Sequence, residues 1–333
     1  MNTNPTLQTK LYGLNNIFSE IINLINLEKL PTKILLSGPK GSGKSTMAYH
    51  IVNYVFSKNE NHPYNLKLNE INADNKSFKL IKNGAHPNFH LIDLINDKKN
   101  IEVSQIRKMI EYSNKSSFNN LPRIIIIDNV ENLNTSSNNA LLKIVEEPNE
   151  KIFFLLIHNN NKKILDTLKS RCLTYKINLT FNDSIYITNK LINENILNLI
   201  NIDLVNYYNT PGDFINLINF SKLNNLDLKE FSLSNFLSLL INEKYYKKDD
   251  FIKLSIFNFI ELYFLKVFSK SLHKDPSPGP SSTGTSLQLS MASVSPGDAI
   301  KFSGTGASNG NGVADASFEY GDSSSPPSSS KPS

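Results

Sequence analysis

Apolar residues cluster in five short runs over the first 180 residues, at 33–37, 89–94, 123–128, 152–158 and 173–177. Several runs are near-continuous rather than alternating, as at 124–127, where four isoleucines follow one another. Such runs mark strands whose two faces are both covered. Between them the apolar spacing predicts helices over 44–56, 103–112, 135–147 and 162–170. Strands alternating with helices imply right-handed strand–helix–strand units and an open parallel sheet, an α/β fold whose ligands bind beyond the carboxyl ends of the strands. From about 181 to 274 the pattern is helical throughout, with Ile185, Ile187, Leu191, Ile192, Ile196 and Leu197 at helical spacing and one break at Pro211-Gly212.

Composition divides the chain once more. Residues 1–274 carry 33 Lys and Arg against 25 acids, a formal +8, whereas residues 275–333 carry two Lys and five acids, a formal −3. The last stretch holds 8 of the 14 glycines and 7 of the 15 prolines beside much serine, which predicts disorder because too little apolar surface is present to offset the ordering entropy. Weak strand alternation around Gly-Asn turns at 299–320 is the alternative, a fragment of a β-domain. A single cysteine, Cys172, excludes a disulfide framework and a four-cysteine zinc site, and it fits a reducing compartment. The longest apolar run, 152–157, is six residues, far short of the roughly 20 that cross a bilayer. With no apolar segment at the start of the chain, the expectation is a cytoplasmic protein with no membrane partner. Only three arginines occur, Arg107, Arg123 and Arg171, so each is a candidate for a specific role.

The strongest chemical signal is Gly38-Pro39-Lys40-Gly41-Ser42-Gly43-Lys44-Ser45-Thr46, which fits G-x-x-x-x-G-K-[ST] between a predicted strand and a predicted helix. Glycines let successive backbone N–H groups turn toward a phosphate, and the helix N-terminus adds positive dipole. Lys44 is then expected to reach the β- and γ-phosphates of ATP, with Ser45 ligating Mg²⁺. The bland alternative is a glycine-rich turn without nucleotide. A metal-holding acid at the end of a neighbouring strand completes such a site, and Asp128 after the four isoleucines supplies one. The next position, where hydrolysing relatives of this type place a glutamate that orients water, is Asn129. Glu131, two residues on, reads as a surface loop acid in preference to an alternative base.

The P-loop, the strand ending in Asp128, Asn138-Asn139-Ala140-Leu141-Leu142-Lys143-Ile144-Val145-Glu146-Glu147-Pro148, the run 153–158 and Ser170-Arg171-Cys172 together resemble the bacterial clamp-loader AAA+ subunits, with the delta prime subunits of DNA polymerase III as the nearest type. Leu30-Pro31 ahead of the P-loop strand and Gly84-Ala85-His86-Pro87 ahead of the second strand add to it. The likeness covers about residues 7–220 and leaves the tail outside. It implies an AAA+ P-loop domain over 1–180, a small helical lid domain over 181–228, a truncated helical collar region over 229–274 and a tail from 275.

The resemblance also implies roles. Arg171 becomes an arginine finger acting in trans on the ATP of an adjacent subunit, against the alternative of a helix-end arginine satisfying last-turn carbonyls. His158 or Asn159 fills the first sensor position, and Asn159 joins Gly38, Gly41, Gly43, Lys44, Ser45, Thr46 and Asp128 as nucleotide-binding candidates. The second sensor, an arginine in the family, is here occupied by Asp213 near Thr210-Pro211-Gly212. Asn129 and Asp213 together point to a subunit that binds ATP with Mg²⁺ but hydrolyses it weakly or not at all. No zinc is expected: residues 57–84, where many relatives carry a cysteine module, hold no cysteine, and His86 and His90 lie about 13 Å apart if both are on an extended strand. Implied partners are gamma/tau and delta subunits in a pentamer, the sliding clamp, and primed DNA within the assembly. The alternative is an active motor subunit of the gamma/tau type.

Overall fold

The computed structural model describes residues 3–95, 98–114, 121–146 and 151–272. Five strands, β1 (Lys33–Ser37), β2 (Phe89–Ile92), β3 (Arg123–Ile127), β4 (Ile152–His158) and β5 (Leu173–Lys176), pair in parallel in the order β2-β3-β4-β1-β5. Around them lie α1 (Asn15–Asn26), α2 (Lys44–Ser57), α3 (Lys76–Lys82), α4 (Val103–Ser113), α5 (Thr135–Glu146) and the single turn α6 (Asp166–Lys169). This is the α/β architecture with an open parallel sheet that the sequence predicts, with a helical region after it.

Alternate residues of each strand feed two separate cores. On one face Ile34, Leu36, Ile124, Ile126, Leu155 and Ile157 pack with Phe18 of α1, Met47 of α2 and Phe78 of α3. On the other, Leu35, Ile125, Ile127, Phe154 and Leu156 pack with Ile106 and Met109 of α4 and Leu141 and Val145 of α5. Both faces being covered is why 124–127 reads as unbroken isoleucine: each side chain is buried and contributes about 2 kcal/mol.

Arg123 has a structural duty. It is buried at the start of β3, where its Nη1 donates to the carbonyls of Tyr112 (2.5 Å) and Ser113 (3.1 Å) at the end of α4. Its guanidinium also lies 4.8 Å from the centre of the Tyr112 ring. A fixed positive charge at a helix C-terminus ties α4 to the sheet.

Helices α7 (Phe181–Ile192), α8 (Ile196–Leu199), α9 (Pro211–Leu223), α10 (Leu233–Asn242), α11 (Tyr245–Lys248) and α12 (Asp250–Leu272) complete the described chain. Ile196, Phe214, Leu217, Phe220, Phe236, Leu240, Ile252 and Phe259 belong to one core, so the packing runs without a break across residue 228. Pro211 opens a helix rather than interrupting one, its fixed φ suiting the first helical position after the Thr210 cap. The helix predicted over 162–170 shrinks to α6, because the Lys162 carbonyl accepts from His158 Nε2 (2.8 Å) and its ammonium donates to Asn132 Oδ1 (2.7 Å), holding the preceding loop over the strand ends. Helices α1 and α3 have no counterpart among the predicted elements. Among the described residues no helix is long and apolar enough to cross a membrane. The predicted tail, 275–333, lies outside the described residues, as do Glu147 and Pro148.

Candidate functional site at the P-loop and the strand ends

The site forms where the sheet order predicts, beyond the carboxyl ends of β1, β3 and β4. Gly38 leaves β1 with its N–H donating to His158 O (3.2 Å), and the loop then turns through Gly41 (φ +82°) and Gly43 (φ +86°), backbone that favours glycine. Gly43 caps α2, whose first turn contains Lys44, Ser45 and the half-buried Thr46. The loop is also roofed. Gly212 N donates to Gly41 O (3.0 Å), and a Cβ on Gly41 would stand 2.5 Å from Thr210 Oγ1, so the first turn of α9 rests directly on the P-loop.

Lys44 is buried and folds back over the loop, its ammonium donating to Gly38 O (2.9 Å), Pro39 O (2.5 Å) and Ser42 Oγ (3.4 Å). Burial lowers its pKa to about 8, against the opposing pull of the Asp128 and Glu131 charges. Ser45 Oγ donates to Asp128 Oδ2 at 2.6 Å, which brings the two expected metal ligands together. Asp128 Oδ1 accepts from Asn129 N (2.8 Å). Burial raises the Asp128 pKa to about 6, with Asp93 adding to the rise and the Ser45 hydrogen bond opposing it.

Asn129 sits in the left-handed region (φ +54°), which asparagine tolerates better than glutamate. Its Nδ2 donates to Asp93 Oδ1 (2.6 Å), and its Oδ1 accepts from Asn159 Nδ2 (2.9 Å). Of the two sensor candidates, Asn159 is therefore in the Asp128 cluster. His158 instead spans Ser37 Oγ (3.0 Å at Nδ1) and the Lys162 carbonyl. Asp93 is a member of the cluster that the sequence pattern does not single out; its one signal is an acid a position beyond a strand's carboxyl end.

Two expectations need correction. Glu131 is not a surface loop acid: it is 7% exposed, and its Oε2 accepts from Asn159 N (3.2 Å). Asp213 does not face a phosphate with a free carboxylate. Its Oδ2 accepts from Thr210 N (2.9 Å) and Thr210 Oγ1 (2.8 Å), closing a capping box on α9, and burial raises its pKa. The two histidines weighed as metal ligands pack on different aromatics, His86 on Phe56 and His90 on Tyr112.

Arg171 lies elsewhere. It precedes β5, which runs parallel to β1, so it stands beyond the amino end of the sheet while the P-loop stands beyond the carboxyl end. Its Nη2 pairs with Glu146 Oε1 of α5 (2.8 Å), its Nη1 donates to Thr167 O (2.8 Å), and 38% of its side chain is exposed. The last-turn carbonyl contact is thus made, by a guanidinium that still faces outward.

Residues 13–180 match the family described as DNA polymerase III, delta subunit. The chain is 31% identical over 261 residues to DNA polymerase III subunit delta' of Buchnera aphidicola subsp. Schizaphis graminum, covering 74% of this chain and 76% of that one. It belongs to the delta prime family. The Bacillus subtilis delta' is 29% identical over 46% of this chain and 44% of its own length. A gamma subunit from the same Buchnera strain is 31% identical over 55% and 48%.

In this delta prime family member the Asp128 carboxyl gives a pH signature. Its folded pKa, about 6, lies above the unfolded value near 4, so the folded chain holds the extra proton between them and stability falls as pH rises through that window. Asp128→Asn is expected to flatten the fall and to stabilise the nucleotide-free chain above pH 6 by up to about 3 kcal/mol. Urea unfolding at pH 4.5 and 7, on the order of one window apart, measures it; equal pH dependence in both proteins refutes it.

Proposed function

We propose that this chain works in the clamp loader by binding ATP with Mg²⁺ at its P-loop, hydrolysing it weakly or not at all, and lending Arg171 to the ATP site of a neighbouring subunit. The donor chemistry suits the ligand. Gly38, Gly41 and Gly43 bend the loop that would wrap the phosphates, Lys44 supplies the buried cation, and Ser45 with Asp128 offers two hard oxygens suited to Mg²⁺. Bound Mg²⁺ would offset the phosphate charge. Thr46 in the first turn of α2 and Asn159 beside Asn129 complete the nucleotide-facing set.

One observation carries the trans role: Arg171 stands at the opposite end of the parallel sheet from the chain's own P-loop, partly exposed. A guanidinium so placed reaches a γ-phosphate only on another subunit. The proposed neighbours are of the gamma/tau and delta types in a five-subunit ring, acting on a sliding clamp over primed DNA; the family likeness supports this. Against the motor alternative stands Asn129, whose amide is committed to Asp93 and Asn159.

Gel filtration with gamma/tau-type subunits, delta and the sliding clamp is the test, beside titration with a fluorescent ATP analogue with and without Mg²⁺. Co-elution and Mg²⁺-dependent binding are expected. A chain that elutes alone in their presence refutes the assembly, and one that ignores the analogue refutes the nucleotide site.

A further inference from the structure

Glu146, in the run 138–148 that carries part of the family likeness, ends α5 with its carboxylate on Arg171 rather than at the P-loop. Its Oε1 lies 2.8 Å from Arg171 Nη2, while Arg171 Nη1 donates to Thr167 O at 2.8 Å. The guanidinium is therefore held from two elements, α5 and α6. Both holds are rooted in one core: Val145, beside Glu146, and Leu168, beside Thr167, are fully buried members of the same cluster. The backbone from which the arginine projects is fixed as well, with Ser170 N donating to Asp166 O (2.8 Å) and Arg171 N to Leu168 O (3.3 Å).

A guanidinium carries five N–H groups in a planar fork, so these two contacts leave three for a phosphate. The pair need not break for the arginine to act. A half-exposed pair is too weak to keep an arginine from a phosphate of higher charge, whereas selecting one rotamer of a long side chain takes little energy. We propose that Glu146 is a positioning residue for the trans arginine, its carboxylate setting the Arg171 guanidinium in the place and plane from which it meets the γ-phosphate on the neighbouring subunit. An arginine already held loses less freedom on reaching that phosphate than one that swings through solvent. The inference rests on the trans role proposed above and asks nothing of this chain's own P-loop. A carboxylate that instead restrained the arginine by competing with the phosphate would act with the opposite sign.

ATP turnover of the assembly with gamma/tau-type and delta subunits is the test, with Glu146→Ala, Glu146→Gln, Arg171→Ala and the double variant Glu146→Ala/Arg171→Ala in this chain. The neighbouring site's contribution is the part of the rate that Arg171→Ala removes. Glu146→Ala is expected to lower that contribution about 3- to 10-fold, the scale for ordering one arginine side chain, with the KM for ATP unchanged. Glu146→Gln keeps an acceptor oxygen for the guanidinium and is expected to retain the greater part of it. The double variant is expected to match Arg171→Ala alone, because the carboxylate has no arginine left to act through. A rate that Glu146→Ala leaves level or raises, while Arg171→Ala lowers it, overturns the positioning role and leaves the trans arginine standing. A double variant slower than Arg171→Ala overturns it too, since Glu146 would then act on the assembly by another route. If Arg171→Ala itself changes nothing, the trans reading fails and this inference fails with it.

Discussion

On the proposed trans role, Arg171→Ala is expected to lower ATP turnover by ~10³-fold or more at the neighbouring subunit's site in an assembly with gamma/tau-type subunits. The same substitution is expected to leave the nucleotide affinity of the isolated chain unchanged, because Arg171 lies across the length of β1 from the P-loop. A strand of five residues spans roughly 16 Å, beyond the reach of any side chain. Fold stability is a poor rival explanation for such a loss. The Arg171–Glu146 pair is exposed on both sides, at 38% and 48%, and surface pairs of that kind contribute under about 1 kcal/mol. By the same token little holds the guanidinium back from a partner's phosphate. Arg171→Lys sharpens the test: it keeps the charge and loses the planar fork, so it recovers only a small part of the rate if geometry matters. Turnover of the reconstituted assembly, compared with ATP affinity of the free chain, decides it; a rate that Arg171→Ala leaves unchanged removes the finger.

The parts of this molecule that the sequence reveals are those set by local chemistry. Unbroken isoleucine at 124–127 fits a strand covered on both faces, and the loop from Gly38 to Ser45 needs glycine wherever φ turns positive. Those two features are enough to place Asp128 near Ser45, and the 2.6 Å contact follows. What the sequence hides depends on how distant segments meet. Asp93 and Asn129 are far apart in the chain, and their 2.6 Å contact arises only because β2 and β3 are paired neighbours. Glu131 reads as exposed because loop acids ordinarily are; its burial comes from the Asn159 N–H arriving at the end of β4. At Asp213 the slot in a family motif suggests a sensor, while the local pattern Thr-x-x-Asp already spells a helix cap. The helix over 162–170 is cut short for a related reason, since His158 and Asn132 bind Lys162 from outside the segment.

Lys44→Met is expected to weaken nucleotide binding on the order of 100-fold at neutral pH, the scale for removing one partner of a buried charge-assisted contact. The pH dependence identifies the group more securely than the magnitude does. In the nucleotide-free chain burial holds the Lys44 pKa at about 8. Phosphate charge beside the ammonium favours its protonated form, so the bound pKa is higher and binding takes up a proton wherever the pH lies between the two values. Wild-type affinity must then fall as pH rises above about 8, approaching tenfold per pH unit. Lys44→Met has no proton to take up, and its weaker affinity is expected to stay level over the same range. Methionine approximates the length of the lysine stem, so the loop keeps its packing while losing the ammonium that now donates to Gly38 O and Pro39 O. Titrations of an ATP analogue from about pH 7 to 10, on either side of the shifted pKa, separate the two proteins. Equal slopes would mean that the phosphates do not meet Lys44, and a P-loop of intact sequence would then serve only as the seat on which the first turn of α9 rests through Gly212 and Gly41.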